Sequence, residues 1–111
     1  MAENVKNIVP RKLAENAQTT QYTVATGKTV IDSATVTNVS ASNVSFSCNL
    51  PAASVATGDG NLVIKARAIA PNETYLCPEL VGQVLEKGGI ISTLASAASA
   101  LCISVNGREI T

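Results

Sequence analysis

The sequence contains no histidine and no tryptophan, and its aromatic residues are one Phe and two Tyr. Histidine is the commonest general base and metal ligand, so its absence removes the Ser–His and Cys–His nucleophile arrangements and most metal sites. The scarcity of aromatic rings also removes a stacking platform for bases or sugars. These absences predict a protein that is not an enzyme and that needs no metal or cofactor.

Charge is also scarce, since charged residues make up 14% of the 111 residues and eight Lys or Arg balance eight Asp or Glu. Soluble domains carry about one quarter, so a surface partly covered by copies of the chain or by a partner is indicated. A neutral chain lacks the basic footprint of a nucleic-acid binder. No unbroken apolar run approaches the roughly 18 to 20 residues of a membrane span. Neither nucleic acid nor a membrane is therefore expected as a partner.

The three cysteines, Cys48, Cys77 and Cys102, are odd in number and far apart, which does not indicate a disulfide framework. No Cys-x-x-Cys pair points to zinc. Cys48 is in register with Val44 and Phe46, so we predict that it is buried as a small apolar side chain. A reactive thiol or a disulfide is the alternative.

The first 18 residues differ from the rest, because five of the first fifteen are charged. They show no apolar core of the signal-peptide kind, so the chain is expected to stay in the compartment where it is made. Pro10 would end a helix begun upstream. We predict that residues 1–18 form an N-terminal arm outside the folded domain, with a frayed terminus as the alternative. Its candidate partner-docking residues are Val5, Ile8, Val9 and Leu13. A chain starting near Thr19 is then expected to keep nearly all of its stability.

From Thr19 onward the sequence is rich in β-branched residues and turn signals. Residues 43–50 alternate between apolar and polar, which predicts a half-buried strand with an inward set of Val44, Phe46, Cys48 and Leu50. Residues 61–68 alternate in the same way, with a predicted inward set of Leu62, Ile64, Ala66 and Ala68. "TGDGN" at 57–61 and Asn106-Gly107 are predicted tight turns.

Seven or eight short strands with turns every eight to twelve residues are typical of a β-sandwich or a small barrel. We predict an all-β fold, a single antiparallel β-sandwich of jelly-roll-like type, over residues 19–111.

The stretch "APNETYLCPELVG" at 70–82 contains Glu73, Cys77 and Glu79, which could form a reactive pocket or a structural corner. Pro71 and Pro78 place these three side chains around a strand-to-turn corner. No histidine or other base is available to activate them. The corner is therefore predicted to be structural, and no catalytic, cofactor-binding or metal-binding residue is assigned.

Five stretches carry a family pattern: a "Y-T-V-P-x-G-K" opening, a "T-V-T-N" strand, an "A-P-x-E-T-Y" corner, a Gly- and Ala/Ser-rich segment and a "G-x-E-I-T" end. The matching positions are Tyr22–Lys28, Thr35–Asn38, Ala70–Glu79, Gly82–Leu101 and Gly107–Thr111. The chain thereby resembles small virion proteins of tailed bacteriophages, except over its first 18 residues. It departs from the pattern at Thr26, where a proline is common, and at Gly89, where an acid is common.

The resemblance implies a non-enzymatic structural component of the virion, assembled in the host cytoplasm. The expected role is that of a capsid decoration (cement) protein that binds the major capsid protein and forms a homo-oligomer, with a trimer favoured. Two alternatives stay open. One is a tail, collar or adaptor component, and the other is a receptor- or carbohydrate-binding module at a fibre tip.

Overall fold

A computed structural model describes residues 3–111 of the chain. Within that range the regular structure is β-strand, apart from one turn of 3₁₀ helix at Asp59–Asn61. The strands are β1 (Glu3–Leu13), β2 (Thr19–Thr23), β3 (Lys28–Asn38), β4 (Val44–Asn49), β5 (Leu62–Ile69), β6 (Thr74–Tyr75), β7 (Val84–Leu85), β8 (Ile90–Ala95) and β9 (Leu101–Ile110). The prediction of an all-β fold is confirmed, with two antiparallel sheets packed together.

The strand order is that of a jelly roll. The first sheet has the order β1-β9-β3-β6, with β7 also pairing with β3, and the second sheet has the order β2-β8-β4-β5. The pairs are nested, because β1 pairs with β9, β2 with β8, β3 with both β6 and β7, and β4 with β5. The chain therefore folds back on itself from its midpoint and alternates between sheets, as in an eight-stranded jelly roll whose sixth strand is split in two.

The core lies between the two sheets and is built mainly from Val, Ile, Leu and Ala side chains. Phe46 is its one aromatic residue that is fully buried, with 2% of its surface exposed. The predicted inward side chains Val44, Phe46 and Cys48 of β4 are all buried. The alternation ends there, because Asn49, which it places outward, is also buried, with 3% of its surface exposed. Leu50, just beyond the strand, is half-buried.

The predicted alternation of β5 fails after Ile64, because Ala66 and Ala68 are exposed rather than inward. Ala66 has a positive φ of 47°. Its N–H donates to the Ser47 hydroxyl at 2.8 Å instead of continuing the strand ladder. The resulting bulge shifts the register between β4 and β5, and Ile69 returns to the core in place of the alanines.

The structure differs from the predicted N-terminal arm over residues 1–18. Residues 3–13 form β1, which pairs antiparallel with β9 from Glu3 opposite Ile110 to Leu13 opposite Cys102. After β1, the Ala14 N–H donates to the Leu101 carbonyl at 2.7 Å. The segment is therefore an edge strand of the first sheet, and only residues 1 and 2 lie outside the described residues.

Asn106-Gly107 is not a turn but lies within β9, opposite Ile31 and Ser33 of β3. A Cβ placed on Gly107 would lie 2.1 Å from the Val30 carbonyl oxygen. Glycine is therefore needed here for close approach of two strands rather than for a reversal of the chain. The predicted "TGDGN" turn is likewise a longer loop, which ends in the 3₁₀ turn before β5.

Candidate functional site

The segment 70–82, called the corner below, begins with a tight turn after β5. The Glu73 N–H donates to the Ala70 carbonyl at 3.0 Å, and the Ala70 N–H donates to the Glu73 carboxylate at 2.8 Å. Asn72 adopts a positive φ of 64°, which asparagine tolerates better than most residues. This reciprocal pair turns the chain from the second sheet into β6, on the edge of the first sheet.

A second turn then carries the chain off the sheet edge and back again. Cys77 has a φ of 47° and its carbonyl accepts the Leu80 N–H at 3.0 Å. At Gly82, with φ +85°, the N–H donates to the Ile31 carbonyl at 2.7 Å, which returns the chain to the edge of β3. This excursion over residues 76–81 is what divides the edge strand into β6 and β7.

The three chemically capable side chains of the corner are held within the fold, Glu73 and Glu79 by hydrogen bonds and Cys77 by burial. Glu73 caps the Ala70 N–H, and Glu79 accepts the Tyr75 hydroxyl at 2.5 and 2.6 Å. The Tyr75 hydrogen bond lowers the pKa of Glu79. Burial, reinforced by the Glu79 charge, raises the pKa of the Cys77 thiol to about 12, so the thiolate is not formed at neutral pH. The arrangement can hold a fold together but offers no activated nucleophile.

The prediction that Cys48 is buried is confirmed, and burial raises the pKa of its thiol to about 12. All three cysteines are free, and Cys102 is half-buried. Across residues 3–111, no three His, Cys, Asp or Glu side chains come together in a group that could hold a metal ion.

The four predicted docking residues do not share one surface. Ile8 and Val9 are buried in the sandwich core, with 3% and 1% of their surface exposed. Val5 and Leu13 remain accessible, at 85% and 46%. Of the predicted set, only Val5 and Leu13 are available to a partner, because pairing with β9 turns the other two inward.

An exposed apolar edge that the sequence did not predict lies along β6 and β7. Leu76, Val81 and Val84 expose 66%, 51% and 51% of their surface. A groove of about 660 Å³ opens beside β7, between the two sheets. Its apolar lining includes Leu50, Val55, Leu62, Val63, Val84 and Leu85. The sequence signal for this edge is the density of apolar residues in "LCPELVGQV".

Both tyrosines are engaged within the fold. The Tyr22 hydroxyl donates to Glu109 at 2.5 Å and lies 2.9 Å from the Thr29 hydroxyl. The Tyr75 ring lies under the Arg67 guanidinium, whose Cζ is 4.4 Å from the ring centroid. Neither ring is presented as an open stacking platform.

Among residues 3–111 there is no helix with the length and apolar character of a membrane span. No protein-family model matches this chain, no curated protein matches its sequence, and no solved structure matches it. The resemblance to virion proteins of tailed bacteriophages therefore rests on the sequence motifs alone.

Proposed function

We propose that this chain is a non-enzymatic structural protein of a bacteriophage virion, and that it decorates the capsid shell as a cement protein. The observation that carries the proposal is the contrast between the polar and the apolar side chains of the corner. Glu73 and Glu79 form hydrogen bonds within the corner, whereas Leu76, Val81 and the neighbouring Val84 are exposed to solvent beside an apolar groove. Exposed apolar edges of this kind mark surfaces that bind other proteins.

The jelly roll agrees with this role, since the architecture recurs in capsid and lectin domains. Fold alone does not assign function, so the proposal also uses the sequence motifs shared with small phage virion proteins. The partners would be the major capsid protein and further copies of this chain, with a trimer as the proposed assembly. Weak contacts repeated over a shell give strong total attachment.

Purified particles from a phage that encodes this chain provide the test. A decoration protein should be present at on the order of hundreds of copies per particle, because the shell repeats its lattice site. A tail, collar or adaptor component should be present at about a dozen copies or fewer, because those structures have single rings. Quantitative gel staining against the major capsid protein separates the two, and a low copy number would overturn the decoration role.

A receptor- or carbohydrate-binding module is the remaining alternative, because lectins also use this architecture. Side chains of the same chain already engage both Tyr22 and Tyr75, which disfavours this alternative. Binding of the purified chain to a glycan array or to host cells, without binding to capsids that lack it, would replace the decoration role with this one.

A further inference from the structure

The first sheet has two open edges. Within residues 3–111, β1 pairs only with β9, and β6 and β7 pair only with β3. An open edge presents unpaired N–H and C=O groups that can accept another strand. The two edges are antiparallel to each other, because three antiparallel pairings separate β1 from β6 and β7. A β1 strand from a second copy could therefore continue the sheet with the same alternation.

The register across the sheet places exposed valines of the two edges in one row. Val5 of β1 lies opposite Arg108 of β9. Val30 of β3 lies opposite Arg108 on one side and opposite Val84 of β7 on the other. Paired residues share a face of a sheet, so Val5 and Val84 lie at the same height and on the same face. They expose 85% and 51% of their surface.

Charge is complementary along the same two edges. Lys12 of β1 lies opposite Ile103 of β9. The same row of paired residues continues across the sheet through Val36 of β3 to Tyr75 of β6. The strand β1 has three basic residues and one acidic residue, whereas residues 73–86 have three glutamates and no Lys or Arg. Arg11 and Lys12 thus lie at the height of Tyr75 and its hydrogen-bond partner Glu79. Lys12 pairs with Glu15 of its own chain at 2.9 Å, so Arg11 is the basic side chain of this end that has no ion-pair partner within residues 3–111.

We propose that β1 of one copy docks along the β6–β7 edge of a second copy of this chain. Val5 then lies beside Val84, and the Arg11–Lys12 end lies beside Glu79. An eleven-residue strand spans about 36 Å, as long as β3, which carries β6 and β7. The docked strand therefore reaches both Thr74–Tyr75 and Val84–Leu85, and it passes beside the excursion at 76–81 that separates them. The contact joins two different surfaces, so it is heterologous and builds a closed ring where its rotation closes.

The alternative is that β1 protects the sheet edge against pairing with another chain. Pro10 and the two register shifts of β1 are devices that discourage such pairing. Those devices fall between Lys6 and Lys12. The stretch Glu3–Lys6, which contains Val5, is paired with β9 without interruption. The most exposed large apolar side chain of the described residues thus lies where the strand is regular. Protection does not account for that side chain, whereas docking does.

Two single substitutions and their mixture test the proposal with purified full-length chain. Val5→Asp breaks the β1 surface and leaves the β6–β7 edge intact, and Val84→Asp does the reverse. The wild-type chain should have the mass of a closed oligomer by light scattering, and each variant alone should have the mass of one chain. Mixing the two variants should give a dimer that grows no further, because only one competent pair of surfaces remains.

Val39→Asp is the matched control, since Val39 is 56% exposed and lies on neither edge strand. It should leave the oligomer unchanged, and circular dichroism should show that all three variants fold. A monomeric wild-type chain, a variant that still assembles alone, or a mixture that stays monomeric would overturn the proposal.

The proposal deepens the decoration role, which calls for self-assembly. Because this experiment contains no capsid, its failure is distinguishable from failure of that role.

Discussion

The guanidinium of Arg67 lies over the ring of Tyr75, with its Cζ 4.4 Å from the ring centroid. Arg67 belongs to β5 in the second sheet and Tyr75 to β6 in the first, so the contact joins the two sheets at one side of the sandwich. The Tyr75 hydroxyl in turn donates to Glu79. The three side chains link the bulged strand β5 to the corner.

Removal of the cation should weaken this link modestly. Because Arg67 and Glu79 are both exposed, we expect Arg67→Ala to lower the free energy of unfolding by about 0.5–1 kcal/mol, as for an exposed cation–π pair. Urea unfolding of Arg67→Ala, Tyr75→Leu and the double variant gives the coupling energy. Additive effects of the two substitutions would show that the contact contributes nothing.

Truncation of the core aromatic should have a larger effect. Phe46 is 2% exposed and lies in the central strand β4 of the second sheet. Replacement of a buried Phe by Ala leaves a cavity and costs about 3–5 kcal/mol. Thermal or urea unfolding of Phe46→Ala measures this loss, and a change below about 1 kcal/mol would contradict the position of Phe46 in the core.

Strand β1 should contribute to stability through its inward residues only. Ile8 is 3% exposed, so Ile8→Ala should lower the free energy of unfolding by about 2–5 kcal/mol. Val5 is 85% exposed, so Val5→Ala made in the monomeric Val84→Asp variant should stay within about 0.5 kcal/mol of Val84→Asp alone. A chain starting near Thr19 should be strongly destabilised, because it leaves β9 without its outer neighbour and the core without Ile8 and Val9. Full stability of that short chain would instead support a separate arm.

The contrast between β4 and β1 shows which parts of the fold can be predicted from the sequence and which cannot. The alternation that defines β4 is local, and Pro51 follows the strand, so Val44, Phe46 and Cys48 could be assigned from their neighbours in sequence. The pairing of β1 joins Glu3 to Ile110, at the opposite end of the chain. Nothing within the first 18 residues encodes that partner, and the charged, Pro-containing segment has no clean period.

The same distinction holds for β5 and for the candidate surface. The bulge at Ala66 depends on the Ser47 hydroxyl of a neighbouring strand, which a reading of residues 61–68 alone cannot include. The corner was predicted as structural from its residue types, and its hydrogen bonds agree with that interpretation. The outward display of Leu76 and Val84 depends on the backbone at Cys77 and Gly82, where the chain leaves the sheet and returns.

Gly107 should be among the least replaceable residues. An added Cβ would lie 2.1 Å from the Val30 carbonyl oxygen, in the middle of the β3–β9 pairing. Backbone on a central strand cannot move aside cheaply, so Gly107→Ala should cost roughly 3 kcal/mol or more. Gly60→Ala is the control, because nothing lies within 4 Å of its added Cβ. Equal unfolding midpoints for the two variants would contradict the close approach of β9 to β3.

The buried thiols of Cys48 and Cys77 should make the fold sensitive to alkali. Burial raises the pKa of each from 9.0 to about 12. A pKa raised in the folded state contributes stability that is fully present below the unfolded value and is lost as pH rises toward the folded one. The free energy of unfolding should therefore fall between pH 9 and pH 12, by at most about 1.4 kcal/mol per pH unit for each thiol.

The slope of the free energy of unfolding against pH, rather than its value at one pH, identifies the two thiols as the cause of the alkaline sensitivity. Cys48→Ala and Cys77→Ala each remove one titrating group, so each should flatten the decline above pH 9 even where the lost side chain lowers stability at every pH. Val44→Ala is the matched control, because it truncates a buried side chain of β4 without removing a titrating group, so it should lower stability but leave the slope as in wild type. Urea unfolding from pH 8 to pH 10.5 under reducing conditions gives these slopes without interference from disulfide formation.

Tyr75 titrates in the same direction, because burial and its hydrogen bond to Glu79 raise its pKa to about 12, so a shallow decline should persist in the double cysteine variant. A slope that is unchanged in the double variant would assign the alkaline sensitivity to the tyrosine hydroxyls and would show that the two thiols are accessible to water in the folded chain.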